Sequence, residues 1–286
     1  MNKGILMAAT IAAAALGASA QGIAPTEEKG PVIEVKTTEG DFQLVLYNDT
    51  PLHEANFLKL VKEGVYDGLL FHRVINEFMV QAGDPSSKNA EAGVLLGDND
   101  GNYTVPAEFR YPARFHKRGA LAAARIGDAE NPERASSAYQ FYVVEGRKYT
   151  AGQLAAMEAK QTDKAREAYF KKVTLENRGE IEPLLKEARE AADSTARTAA
   201  VQKLDAIRDR LVDETVKAVP EVRIPDNIKQ VYMTEGGTPH LDGAYTVFGE
   251  VIQGMDTIDR IQKVETDKND RPLKDVRILS MKVLRE

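Results

Sequence analysis

The residues most able to do chemistry stand close together in the run from Phe71 to Asp84. Two short strand-like segments joined by a turn make up most of this run. Side chains on a strand alternate between its two faces, so an antiparallel pair could bring Arg73, Met79 and Gln81 together. A guanidinium, an apolar wall and an amide suit a groove that binds an uncharged amide better than they suit a core.

The same residues also have ordinary structural explanations. Phe78 and Met79 could lie in the hydrophobic core, and Arg73 could form a surface ion pair. His72 could be a structural histidine that hydrogen-bonds its neighbours. Periodicity alone therefore names no activity for this run.

Other catalytic and cofactor motifs are missing from the sequence. No P-loop, G-x-S-x-G, H-E-x-x-H or complete EF-hand spacing is present, and the four histidines are scattered. The absence of cysteine excludes disulfides, thiolate nucleophiles and cysteine-bound zinc. Residues 98–101 resemble part of a calcium loop, but a solvated turn explains them better. We therefore expect neither a metal nor a cofactor.

The charge of the chain argues against one class of partner. Its formal net charge is −6, whereas sequence-independent nucleic-acid binding needs a basic face that neutralises phosphates. We therefore expect no nucleic-acid partner. Beyond the first twenty residues no apolar segment approaches the roughly 20 residues that a membrane span needs, so we expect no span either.

Residues 1–20 have the pattern of a secretory signal peptide. Lys3 supplies a positive start, residues 4–17 are apolar and uncharged, and Ala18-Ser19-Ala20 is a small-residue cleavage site. A buried helix or a membrane anchor is the alternative, but the run is short for a span. The sequence thus predicts cleavage after about Ala20 and a periplasmic or secreted protein. Residues 21–31 are rich in Gly, Pro and charge and predict a flexible leader.

Most of the elements that must position these side chains are short strands. Alternating apolar residues on either side of Gly40 predict a hairpin, and helical spacing predicts helices near 51–63 and 254–263. Between Lys148 and Val219 the chain becomes rich in Ala, Glu, Lys and Leu, which predicts a helical hairpin or three short helices. The sequence therefore predicts a mainly β fold with a helical insertion, not a parallel α/β sheet.

Several runs, in this order and spacing, resemble the cyclophilins, a family of peptidyl-prolyl cis-trans isomerases. The matching runs are Phe71–Ile75, Phe78–Gln81, Gly83–Asp84, Gly119–Ala124, Gln140–Val144, Leu241–Gly243 and Thr246–Val251. The resemblance implies a closed eight-stranded antiparallel barrel capped by two helices, formed by residues 32–146 and 229–286. It also implies that residues 147–228 are a helical insertion in that barrel.

The resemblance further implies a groove for a proline-containing peptide, with Arg73 as the catalytic guanidinium. The apolar residues that would hold the proline ring are Phe78, Met79, Phe141 and Leu241. Two amide side chains would hydrogen-bond the peptide and hold Arg73, namely Gln81 and Gln140. The residue before proline would meet backbone groups of Ala124 and Arg125, and His72 would lie beside the groove.

Four groove positions depart from the most familiar members of the family. Tyr142 stands where many have Phe, Tyr245 where many have His, His240 where some have Trp, and Arg125 where many have Asn. We expect all four to contact the substrate. The changes argue against cyclosporin-type drug binding, whereas the Arg, Phe, Met and Gln set on which the resemblance rests is complete.

The implied function is an enzyme that rotates X-Pro bonds in exported proteins and so assists their folding. The alternative is a proline-peptide-binding or chaperone-like module with little turnover. The insertion leaves after Val144 and returns just before His240, so it should emerge beside the groove. There it could extend the client-binding surface or dock a protein partner. A solvated helical decoration without specific function is the competing explanation.

Overall fold

The computed structural model describes residues 30–99 and 101–286. The predicted signal peptide and residues 21–29 of the predicted leader lie outside the described residues. Gly30 and Pro31, which the predicted leader included, are buried: the Leu46 amide donates to the Pro31 carbonyl at 2.9 Å, and Arg285 donates to the Gly30 carbonyl. Gly30 and Pro31 thus pack with the sheet although they precede the predicted start of the barrel.

Ten strands and six α-helices make up the described ranges. The strands are β1 (Val32–Thr37), β2 (Gly40–Leu46), β3 (Phe71–Ile75), β4 (Met79–Ala82), β5 (Thr104–Val105), β6 (Ala120–Ala123), β7 (Ser136–Ser137), β8 (Phe141–Val144), β9 (Val247–Gln253) and β10 (Ile278–Arg285). The helices are α1 (Pro51–Lys62), α2 (Ala151–Glu176), α3 (Arg178–Glu190), α4 (Ser194–Ala218), α5 (Asp226–Thr234) and α6 (Met255–Ile261).

Eight strands form one curled antiparallel sheet in the order β10-β1-β2-β9-β6-β8-β4-β3, and β5 pairs with β7 beside it. The predicted closure into a barrel is wrong, because no ladder joins the edge strands β3 and β10. The chain segments that precede these strands meet only in one bridge, between Leu70 and Arg277, and in neighbouring backbone hydrogen bonds. The two strands diverge after this point, so the sheet is a half-barrel.

The concave side of the sheet and the two capping helices enclose the main core. Phe57 of α1 packs edge-on against Phe141 and Phe248 with ring centroids 5.3 Å apart in both pairs, and Ile258 and Ile261 of α6 bury in the same cluster. Such edge-to-face contacts add to the hydrophobic gain of burial. The two helices predicted near 51–63 and 254–263 are confirmed by α1 and α6.

The other face of the sheet carries a second, smaller apolar cluster. Its buried members include Met79, Tyr142 and Val144, and its partly buried members include Phe78 and Leu241. Residues that alternate along β4 and β8 therefore serve two cores, one on each face. The second cluster reaches the surface, and this is where the groove lies.

Helices α2, α3 and α4 are inserted between β8 and β9, and α5 follows them across the predicted boundary at residue 228. The chain enters and leaves the insertion at a tight crossing, where a Cβ on Gly146 would lie 2.4 Å from the Gly237 backbone. Only glycine allows the two segments to approach so closely. None of the helices in the described ranges is long and apolar enough to cross a bilayer.

Candidate active site

Arg73 and Gln81 lie opposite each other in the β3–β4 ladder, as the alternation of the sequence predicted. Arg73 Nη1 donates to Gln81 Oε1 at 3.4 Å, and its Nε lies 3.8 Å from the Asp270 carboxylate. The side chain is 44% exposed. The guanidinium is therefore oriented but still accessible, with donors left for a ligand.

A pocket of about 150 Å³ opens beside Arg73 on this face of the sheet. Nine residues line it: Arg73, Phe78, Met79, Gln81, Ala124, Arg125, Tyr142, Leu241 and Tyr245. All nine belong to the set predicted from the sequence. Its volume suits a small ring or side chain, since drug-sized ligands occupy pockets of roughly 300–1,000 Å³.

A chain of amides holds Gln81 in place. Gln81 Nε2 donates to Gln140 Oε1 at 3.0 Å, and Gln140 Nε2 donates to the Gly97 carbonyl at 2.9 Å. The Gly97 amide in turn donates to the Asp84 carboxylate at 2.6 Å. Gln140 is buried beneath the pocket and not on its wall, so it acts on Arg73 through Gln81.

Arg125 forms part of the pocket wall, but its guanidinium is already paired. Its guanidinium lies over the Tyr245 ring at 4.5 Å from the centroid, donates to the Ala244 carbonyl at 2.9 Å and pairs with Asp128 at 2.7 Å. The pairing with Arg125 and Arg134 lowers the pKa of the Asp128 carboxyl, so the pair stays ionised near neutrality.

The backbone of Ala124 differs from its predicted role. Its amide already donates to the Gln140 carbonyl at 3.0 Å, and its carbonyl accepts from the Ser137 amide at 2.8 Å. The amide is therefore not available to a peptide, although the carbonyl keeps a second lone pair. The side chain of Ala124 still forms part of the pocket wall.

Phe141 does not line the pocket as predicted. It is 1% exposed and packs in the main core against Phe57 and Tyr66. Neighbouring residues of β8 face opposite sides of the sheet, so Tyr142 takes the pocket position and Phe141 the core position.

Two predicted histidines lie near the pocket without lining it. His72 is 3% exposed, and burial lowers its pKa to about 4, opposed by the Asp84 charge, so its ring is neutral near pH 7. His240 is exposed and stacks on Phe78 at 5.5 Å, which places it on the rim. Partial burial, and then the nearby His116, lowers the pKa of His240.

Two residues behind the pocket were missed by the sequence reasoning. His116 Nε2 lies 3.0 Å from the Tyr142 hydroxyl, and its Nδ1 lies 3.0 Å from an Asp242 oxygen. Asp242 stood inside a matching run, whereas His116 looked like one of four scattered histidines. Because 126 residues separate this pair, the only signal was the type of each residue.

Nothing in the described ranges gathers three or more side chains that could hold a metal ion. The site chemistry that these residues offer is one oriented, permanently charged donor beside a small, mostly apolar pocket. Such a site can hold a ring and donate a hydrogen bond to a neighbouring atom, without a covalent step.

The chain is similar in sequence to proteins of one family. The profile of the family described as "Cyclophilin type peptidyl-prolyl cis-trans isomerase/CLD" matches residues 32–196 and 200–283. A proposed bifunctional phosphatase/peptidyl-prolyl cis-trans isomerase of Streptococcus pyogenes serotype M6 is 30% identical over 89% of this chain, which spans only 39% of that protein. A proposed peptidyl-prolyl cis-trans isomerase of Staphylococcus haemolyticus is 28% identical over 88% of this chain and 90% of its own length. A solved Cryptosporidium parvum cyclophilin type isomerase covers 90% of this chain and 98% of its own, at 17% identity and a TM-score of 0.49.

Proposed function

This chain belongs to the cyclophilin-type peptidyl-prolyl cis-trans isomerases, and we propose that it rotates X-Pro bonds of polypeptide clients at the pocket beside Arg73. The observation that carries the proposal is the position of the Arg73 guanidinium. It lies at the edge of the pocket that Phe78, Met79 and Leu241 line, oriented by Gln81.

The reaction needs no bond to be broken, only a twisted amide to be favoured. Amide resonance gives an X-Pro bond a rotation barrier of about 18–20 kcal/mol. Twisting localises the lone pair on the proline nitrogen, which can then accept a hydrogen bond from Arg73. In the planar isomers that lone pair is delocalised into the carbonyl and accepts poorly, so the bond stabilises the transition state selectively. A barrier lower by about 7 kcal/mol would accelerate rotation by about five decades.

The apolar wall has a separate task from the guanidinium. Phe78, Met79, Tyr142 and Leu241 would hold the pyrrolidine ring, so that rotation is confined to the residue before proline. This grip acts on ground and transition states alike and sets affinity, whereas Arg73 sets the rate.

The clients that we propose are exported proteins whose folding waits for proline isomerisation, a step of tens of seconds when uncatalysed. The charged start, apolar run and small-residue site within residues 1–20 support a periplasmic or secreted location. Fusing residues 1–30 to a reporter enzyme that is active only after export tests this location. A reporter that stays inside the cell and keeps the fused segment would contradict it.

The experiment for the catalytic role is a protease-coupled assay on an Ala-Pro peptide. Arg73→Ala should lower kcat/KM by about 10²–10³, the usual cost of removing one preorganised donor. Arg178→Ala, an exposed arginine on α3 that pairs only with Glu182 in the described contacts, is the matched control. Equal rates for wild type and Arg73→Ala, with both variants folded, would defeat the assignment and favour the binding module without turnover.

The role of the insertion as a client or partner surface stays a proposal. Its helices expose several apolar side chains, including Leu175, Leu185, Val201, Val212 and Val216, which supports contact with unfolded clients. Deleting about 149–224 should weaken the suppression of client aggregation. Unchanged suppression would remove the proposed role.

A further inference from the structure

A continuous chain of hydrogen bonds runs from α5 to the wall of the pocket. The Tyr232 hydroxyl donates to Asp242 Oδ2 at 2.6 Å. The other oxygen, Oδ1, lies 2.9 Å from the His116 amide nitrogen and 3.0 Å from His116 Nδ1. His116 Nε2 then lies 3.0 Å from the Tyr142 hydroxyl. Three of these four contacts thus converge on one carboxylate.

The carboxylate decides the direction of every bond in the chain. A carboxylate can only accept, so in the neutral form of His116 the proton lies on Nδ1 and Nε2 is left as an acceptor. The Tyr142 hydroxyl must then donate to Nε2. Burial holds the pKa of Tyr142 well above its ordinary value, so the proton that this bond needs is present at any physiological pH.

All members of the chain are shielded from water. His116 and Tyr232 are fully buried, and Tyr142 is 4% exposed. His116 stacks nearly parallel to Tyr142 at 6.1 Å, directly behind the pocket wall. Leaving a buried hydrogen bond of this kind unmade costs free energy. A displacement of one of these side chains should therefore shift the side chain bonded to it.

Tyr232 belongs to the insertion side of the molecule. Its ring packs edge-on against Phe115 at 5.6 Å, within a cluster that also contains Leu154 of α2 and Ile228 of α5. The backbone of Gly237 passes directly over this ring, where a Cβ would lie 2.6 Å from it. Tyr232 is therefore clamped between the base of the insertion and the sheet.

We infer that α5 positions the proline pocket through Tyr232, Asp242 and His116, which fix the phenol of Tyr142. The inference rests on the proposed isomerase function and deepens it. The three residues are positioning residues, since none of them lines the pocket. This series of hydrogen bonds connects the base of the insertion to the wall that holds the pyrrolidine. It fixes Tyr142 through a hydroxyl group that phenylalanine lacks.

A double-mutant cycle on Tyr232 and Tyr142 tests the inference. Tyr232→Phe and Tyr142→Phe keep the rings and remove one hydroxyl each. Because the wall grips ground and transition states alike, each should raise KM for an Ala-Pro peptide about 3–10-fold and change kcat less than twofold. The double variant should have the same KM as Tyr142→Phe. Once the Tyr142 hydroxyl is absent, loss of the Tyr232 hydroxyl from the same hydrogen-bond series has no further effect on the pocket. Tyr149→Phe, a neighbouring ring on the insertion side, is the control and should behave as wild type.

Nitrogen-15 NMR of His116 gives a readout independent of turnover. Wild type should show a protonated Nδ1 and an unprotonated Nε2, and Asp242→Asn should disturb this tautomer. Additive effects in the cycle, or a wild-type KM for Tyr232→Phe, would overturn the inference while leaving the isomerase function in place. A wild type no faster than Arg73→Ala would instead overturn the function itself. Should Tyr232→Phe fail to fold, Asp242→Asn replaces it in the cycle.

Discussion

The sheet and the helical insertion bury their side chains in different ways. The main core of the sheet joins 24 buried residues, taken from strands and helices on both sides of the insertion. In the described ranges the insertion has two small buried clusters, one of Val173, Ile207 and Leu211 and one at its base that joins Leu154 to Tyr232, and α3 buries none. The sheet is thus a product of contacts between distant residues, whereas the insertion depends largely on hydrogen bonds within each helix.

This difference bears directly on the site. Arg73, Tyr142 and Leu241 come from three distant parts of the chain, and only the non-local core holds them at a common pocket. In the described ranges the insertion contributes no residue to the pocket wall, and the neighbouring helix α5 reaches that wall through Tyr232, Asp242 and His116. A scaffold that is densely packed on both faces keeps the donor and the wall in register, while α3, which buries no residue, can vary without moving them.

The largest effect expected from this comparison is the loss of a leucine from the sheet. Leu121 is fully buried in the main core, so Leu121→Ala should lower the free energy of unfolding by about 4 kcal/mol. Leu175, which is 67% exposed on α2, should tolerate the same change within about 0.5 kcal/mol. Urea unfolding measures both. Equal losses at the two positions would contradict the contrast between the regions.

Alanine substitutions at two glycines, one in the sheet and one in the insertion, should show the same contrast with a slightly smaller change in stability. A Cβ on Gly249 of β9 would lie 2.5 Å from the Val45 carbonyl oxygen, so Gly249→Ala should cost about 3 kcal/mol through overpacking. Gly179 at the start of α3 has nothing within 4 Å of a Cβ, and Gly179→Ala should stabilise by about 0.5 kcal/mol. Thermal and urea unfolding check the signs. A stable Gly249→Ala protein would show that the strands can separate.

The acid sensitivity of the protein should come partly from His72 in the sheet. Its pKa falls from 6.5 to about 4 on folding, so between these values the unfolded chain binds more protons and stability falls as the pH falls. By pH 4 this proton uptake lowers the free energy of unfolding by about 3 kcal/mol relative to its value above pH 6.5. His72→Gln should flatten the curve of unfolding free energy against pH in this window. Curves that stay parallel to that of wild type from pH 6.5 to 4 would sink this assignment.

The smallest effect belongs to the surface of the insertion. Glu167 and Lys171 on α2 form an exposed i,i+4 pair with 2.7 Å between the charged atoms. Solvent and salt screen such pairs, so Glu167→Gln should shift the melting temperature by no resolvable amount. A drop of several degrees would show that the insertion depends on its charges more than its exposure indicates.

Local patterns predicted much of the fold and of the site. The alternation along β3 and β4 placed Arg73 opposite Gln81 correctly, and the helical composition after residue 148 resolved into three helices. Thr150 and Gln153 form the capping box that their spacing resembles. Proline usually breaks a helix, but Pro183 lies inside α3 without ending it. The helix surface is exposed there, so water can satisfy the carbonyl that loses its partner.

Other features could not be read from local patterns. Period two shows that Phe141 and Tyr142 face opposite sides, but not which side holds the pocket. Whether the sheet closes depends on how β3 and β10 diverge, which is a property of accumulated twist and not of either strand. The pairing of His116 with Asp242 requires two segments 126 positions apart to meet.

The sequence by itself determined the kinds of element, because residue type and spacing act over a few positions. The predicted groove residues and the role of Arg73 came from the resemblance of ordered motifs to a family. The tertiary structure decided which ring of β8 faces the pocket, that Arg125 is already paired, and that α5 reaches the wall through a buried carboxylate. Those outcomes depend on packing between distant segments, because one face of a strand is chosen only when something packs against it.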